Sequence, residues 1–241
     1  MKSQHRVVFF LALNLLFGLQ SCKNTSENTQ KAKPEVGQDS LSEFTNKGVE
    51  IDDSLGANVI EDVEKKDEDG NTLHYSQNKV NHTLEGKFEK IASNGKKLEE
   101  ANYVGGKYDG NRILYYEVGD TQIVETYQLG TFEGRYKLFY PNGKLKMTGF
   151  YHNNAMDGLW YQYFETGELR EQVTFKDNNE NGPFKEFHKN GVVSVEGNYK
   201  NGDKEQGPLK MYNDAGQLIK IMECNQGVCR TVWPAKKQKN K

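Results

Sequence analysis

Residues 134–157 read GRYKLFYPNGKLKMTGFYHNNAMD, and Gly158 then starts the pattern again. Glycines at 86, 110, 134, 158, 182 and 207 are separated by 24, 24, 24, 24 and 25 residues. A second ladder, nine residues behind the first, runs through Gly95, Gly119, Gly143, Gly167, Gly191 and Gly216. Self-similarity at a fixed period decides the architecture before any other reading. Within 134–157 a first strand is expected over Arg135 to Tyr140 and a second over Lys144 to Tyr151. Between them Asn142-Gly143 is expected to supply the positive φ angles of a tight hairpin turn. Leu145, Met147, Gly149 and Tyr151 alternate with Lys146, Thr148 and Phe150, the period of a strand with one buried face. His152-Asn153-Asn154 forms a polar turn into the next unit. No stretch carries sustained helical periodicity.

The aromatic residues obey the same period. Two residues after the first-ladder glycines come Phe88, Arg112, Tyr136, Trp160, Phe184 and Leu209. Five after them come Ile91, Tyr115, Phe139, Tyr163, Phe187 and Tyr212, and seventeen after them Tyr103, Tyr127, Tyr151, Phe175, Tyr199 and Cys224. Columns three residues apart point to opposite faces of an ideal strand. Either a bulge in the first strand reconciles them, or both faces carry aromatics. The expected fold is therefore all-β: an elongated single-layer stack of about six 24-residue antiparallel β-hairpins over 86–230. Twelve such strands would span on the order of 50 Å. Residues 71–85, with Gly70 before them, read as a degenerate half-repeat that caps the first edge.

Outside this body the composition changes. Lys2 and Arg6 precede a short apolar run from Val7 to Leu19, the make-up of a secretory signal over 1–21. Leu19-Gln20-Ser21-Cys22 resembles a bacterial lipobox, which implies lipidation at Cys22 and a membrane anchor; the alternatives are ordinary secretion or an uncleaved signal anchor. Residues 22–70 then read as a disordered acidic tether, because so polar a segment buries too little apolar area to offset its ordering entropy. Residues 23–85 hold seven Lys against fourteen Asp and Glu. Residues 231–241 form a basic tail with Lys236, Lys237, Lys239 and Lys241. The repeat body is nearly balanced in charge, which excludes the concentrated basic face of a nucleic-acid binder.

The sequence Gly158-Leu159-Trp160-Tyr161-Gln162-Tyr163, followed by Thr166-Gly167-Glu168-Leu169, resembles a MORN repeat. So does Gly134-Arg135-Tyr136 through Asn142-Gly143-Lys144-Leu145. The pattern is similar to the bacterial variant of YwqK-like proteins, often labelled antitoxins. Repeat two departs from it, with Arg112 in an aromatic column and Ile123 displaced from the Leu position, and repeat one has Leu98 one place late; locally altered pairing is expected there. The resemblance implies a non-catalytic scaffold or protein-interaction module. An antitoxin that neutralises a partner protein, or an envelope binder of glycan or phospholipid, are the alternatives.

The chemistry-bearing residues are sparse. His74, His82, His152 and His188 lack metal-ligand spacing, and no nucleophile motif or phosphate loop is present, so no catalytic residue, metal or cofactor is expected. Cys224 and Cys229 flank Asn225-Gln226-Gly227-Val228, a hairpin loop that would bring them within disulfide range; two reduced thiols are the alternative. Most aromatics belong to the core. Tyr116, Tyr140, Tyr161 and Phe164 are the candidates for a displayed binding face. The expected location is the bacterial cell envelope, facing the periplasm or the surface.

Overall fold

The computed structural model describes residues 59–234. The signal segment 1–21, Cys22, most of the tether and the tail beyond 234 lie outside the described residues. The first hairpin is β1 (Ile60–Lys66) and β2 (Thr72–Asn78), followed by β3 (Leu84–Ile91), β4 (Lys97–Val104), the short β5 (Lys107–Tyr108), β6 (Gly110–Tyr115) and β7 (Thr121–Gln128). Then come the short β8 (Thr131–Phe132), β9 (Gly134–Phe139), β10 (Leu145–His152), β11 (Ala155–Tyr163), β12 (Leu169–Lys176) and β13 (Asn179–Phe187). The last four are β14 (Val193–Tyr199), β15 (Gly207–Tyr212), β16 (Leu218–Asn225) and β17 (Val228–Pro234). All pairings are antiparallel between chain neighbours, with β5 and β8 bridging β4 to β6 and β7 to β9. The meander continues in chain order to β17, giving one open all-β sheet.

Two boundaries differ from expectation. The sheet begins at Ile60, so the end of the presumed tether is a strand and residues 60–78 form a whole hairpin rather than a half-repeat. Only Ile60 and Val63 are aliphatic in β1, and an edge strand gains from such charge because it resists pairing with other chains. At the other end β17 takes in residues 231–234 of the supposed tail.

The hairpins of the six 24-residue repeats share one register irregularity, and it lies in the second strand. Leu145 opposes Phe139 while Met147 opposes Leu138, leaving Lys146 as an extra residue. Leu98, Gln122, Arg170, Ser194 and Ile219 are extra at the corresponding places. Repeats one and two therefore pair as the others do, and the anticipated alteration is absent. Nor does a first-strand bulge bring the columns together. Tyr136 and Leu138 lie on one face and Phe139 on the other, so both faces carry aromatics.

The turn chemistry is also reversed from expectation. At Tyr140-Pro141-Asn142-Gly143-Lys144 only Gly143 is left-handed, with φ 77°. Tyr140 N–H donates to Lys144 O and Gly143 N–H to Tyr140 O. This is the three-residue loop in which a type I turn is followed by a left-handed glycine. The two-residue turns with both central φ positive join one repeat to the next, as at Asn153-Asn154 (49° and 64°) and Gln226-Gly227 (50° and 80°).

The glycines of the first ladder oppose the strictest aromatic column: Gly86 faces Tyr103, Gly110 Tyr127, Gly134 Tyr151, Gly158 Phe175, Gly182 Tyr199 and Gly207 Cys224. On the other side of that column stand Tyr108, Phe132, Met156, Glu180, Glu205 and Cys229. The rings of Tyr103, Tyr108, Tyr127, Phe132 and Tyr151 form a continuous stack with centroids 4.6, 5.2, 4.9 and 3.9 Å apart. The extra residue before Gly207 enlarges one inter-repeat turn, where Lys200 N–H reaches Lys204 O. The last pair of the column is the Cys224–Cys229 disulfide, across directly opposed positions.

Candidate functional site

Cross-strand partners share a face, so the register sorts every side chain. One face carries the core. Tyr136, Met147, Tyr151, Met156, Trp160, Val173, Phe175 and Phe184 are all buried there, with Trp160 and Val173 at 1 % exposure. Large and small residues alternate along the middle row: Tyr136 opposes Gly149, Trp160 opposes Val173, and Phe184 opposes Gly197. A Cβ on Gly149 would stand 2.2 Å from the Trp160 ring, so this glycine is required by contact.

In repeat two the same row is ionic. Arg112 Nε donates to Glu99 Oε1 at 2.6 Å and its Nη1 to Glu125 Oε2 at 3.0 Å. Tyr108 and Tyr127 hydroxyls donate to these carboxylates, and Arg112 also lies over the Tyr108 ring at 5.1 Å. Burial opposes the guanidinium charge, yet the hydrogen bonds and nearby charge of Glu99 leave the Arg112 pKa raised.

Glu171 is buried in the central repeats, 8 % exposed, between Gln162 on β11 and Glu186 on β13. Burial, then the charges of Glu186 and Glu180, push its carboxyl up to about 8. Its Oε2, the Gln162 Oε1 and the Trp160 Nε1 are buried without hydrogen-bond partners.

The opposite face carries Phe139, Tyr163, Phe187 and Tyr212 beside the hairpin turns and is polar along its middle. Its central row runs Lys137, Thr148, Tyr161, Gln172, Lys185, Glu196 and Lys210. Phe150 (49 % exposed, under the Arg135 guanidinium) and Leu159 (41 %) share that face with Tyr161 and form an apolar spot around it. Sequence reasoning missed Phe150 and Leu159; their parity relative to Tyr161 on the paired strands was the available signal.

The other three aromatics proposed for display lie elsewhere. Tyr116, Tyr140 and Phe164 succeed one another at 24-residue intervals on the rim of hairpin turns. The Tyr116 hydroxyl donates to Phe139 O at 2.7 Å, and the Tyr140 hydroxyl to Tyr163 O at 2.9 Å. Lys146 lies over the Tyr140 ring, and Arg170 and Lys189 over that of Phe164. Asn142 Nδ2 and Lys144 Nζ donate to Glu165 O and Thr166 O of the following turn. These side chains bind one turn to the next, and a shallow hollow lined by Tyr115, Tyr116, Gln122 and Pro141 lies among them.

At the opposite rim, the residue before each of the first three glycines of the first ladder caps a neighbouring turn. Glu85 accepts from Gly105 N–H, Asp109 from Leu129 N–H and Glu133 from Asn153 N–H. A glycine, an aromatic two places on, a left-handed turn glycine and an acidic closing residue each thus have a mechanical part. Three consecutive MORN repeat variants lie at residues 132–153, 156–177 and 180–201. The MORN windows open on Phe132, Met156 and Glu180, members of the column that faces the aromatic ladder. They cover the aromatic core and stop short of the Arg112 cluster. No curated protein sequence matches the chain. MORN repeat proteins are in general non-catalytic interaction modules. Among the described residues, no group of three or more His, Cys, Asp or Glu is arranged to hold a metal ion.

Proposed function

We propose that this protein is an envelope lipoprotein, anchored through Cys22, whose repeat sheet is a non-catalytic scaffold for a protein partner. The observation that carries this reading is the division of labour between the faces. One face holds the aromatic core, and the other has a polar central row with an exposed apolar spot at Phe150 and Leu159 beside Tyr161. Isolated apolar anchors within a polar rim are the usual make-up of a contact surface. The Cys224–Cys229 disulfide supports an oxidising compartment, and the lipobox resemblance supports the anchor. The antitoxin reading and the glycan or phospholipid reading use the same surface with other occupants.

A photo-crosslinker at Gln172 or Lys185 tests the scaffold in intact cells. A discrete protein adduct, lost in Phe150→Ser/Leu159→Ser but retained when the crosslinker variant alone is expressed, is the expected result. Adducts that ignore those substitutions would sink the surface assigned here. Incorporation of a labelled fatty acid, abolished by Cys22→Ala, checks the anchor separately.

A further inference from the structure

The row Gln162–Glu171–Glu186, with Glu171 buried and its two neighbours half-buried, has more acceptors than donors. Glu171 faces Gln162 across β11 and β12 and Glu186 across β12 and β13. Glu171 Oε2 and Gln162 Oε1 are both buried without partners. A buried polar atom left unpaired costs about 1–3 kcal/mol, and two adjacent acceptors cannot satisfy each other. One proton on Glu171 satisfies both. We infer that Glu171 is held as a neutral carboxylic acid donating to Gln162 Oε1, and that losing this proton loosens the central repeats.

The neighbours of Glu171 on β11, β13 and β14 favour the neutral form. Glu186 and Glu180 on β13 repel a second negative charge. Tyr199 on β14, itself held neutral by burial and by these glutamates, provides no positive charge. Gln162 on β11 is uncharged, and Arg170, beside Glu171 on β12, is the one nearby cation that favours ionisation. The carboxyl, pushed up to about 8, lies above its ordinary value of 4.5. The folded state therefore holds a proton that the unfolded chain releases. The resulting stability is fully present below about pH 4.5 and is lost as pH rises through about 8. The released proton goes to solvent, leaving a carboxylate among acids and apolar rings.

The test is urea unfolding of the full chain between pH 5 and pH 9, followed by Trp fluorescence, for the wild type and Glu171→Gln. A glutamine at 171 keeps a donor for Gln162 without a charge. The wild-type folding constant should fall relative to the variant by up to about tenfold per pH unit between pH 5 and 8. Carbon NMR of the glutamate carboxyls in the wild type reads the same event without any substitution, and should show one titration near neutrality or above. Parallel stability profiles, or a Glu171 carboxyl that titrates below pH 5, would overturn the inference. In that outcome the Gln162 amide is flipped and donates to a carboxylate.

Discussion

Glu99 and Glu171 stand at the same place in two repeats, thirteen residues after Gly86 and Gly158, yet meet opposite surroundings. Glu99 is bonded to the Arg112 guanidinium, whereas Glu171 lies near Phe184 and faces Glu186. The cause is one column: the residue two places after the next glycine is Arg112 in one case and Phe184 in the other. Arg112 and Glu125 stand where the central repeats have Phe184 and Gly197, and this change converts an apolar core into an ion-paired one while the hairpin register stays the same. The sheet's geometry is set by its turns and bulges, and the character of its core by which side chains share a row.

The largest effect should come from the apolar half of this comparison. Trp160→Ala removes the most enclosed large side chain and should cost about 4 kcal/mol. Gly149→Ala, which drives a methyl into that ring, should cost about 3 kcal/mol. Combined, they should cost clearly less than the sum, because the alanine at 149 then occupies space the indole has left. Denaturant titration of all three variants reads this, and strict additivity would show that Gly149 is needed for another reason.

The ionic half should respond next. Arg112→Ala leaves Glu99 and Glu125 without their cation and should cost about 3 kcal/mol. Copying the central pattern with Arg112→Tyr, Glu125→Gly and Glu99→Met should recover wild-type stability to within about 1 kcal/mol or exceed it. A triple variant as unstable as Arg112→Ala would mean that the two cores are not interchangeable. The smallest effect belongs to the rim, where the two halves are built alike. Tyr116→Phe and Tyr140→Phe should each cost about 1 kcal/mol or less, with faster amide exchange confined to the adjoining turns. Unequal losses at the two sites would end the view that the rim is uniform.

Much of this was legible from periodicity. The ladders located both kinds of turn, and the alternation in 147–151 assigned faces correctly, while the bulge at Lys146 moves Leu145 to the face of Phe139. The turn types were not legible from Asn142-Gly143, because the same dipeptide serves a three-residue loop when the extra residue is absorbed by a bulge at Lys146. The column of Tyr108, Phe132, Met156 and Glu180 escaped notice because it mixes rings, a thioether and a carboxylate. β1 was concealed by its charge, since a polar edge strand and an unfolded tether have similar compositions. Tyr116, Tyr140 and Phe164 looked displayable because their period was visible, while their hydrogen bonds and cation contacts depend on the neighbouring repeat.

The chain-order meander also determines how the sheet would carry a load. Its first and last strands are its two edges, so tension applied at residues 59 and 234 separates one strand from its neighbour at a time instead of sliding all of them at once. Peeling of β17 halts at Cys229, because the bond to Cys224 transfers the pull directly to β16 and leaves the turn at 225–228 unstretched. Each later hairpin yields about 24 residues of slack before the next one is loaded. A molecule built this way pays out length in measured steps between two attachment points.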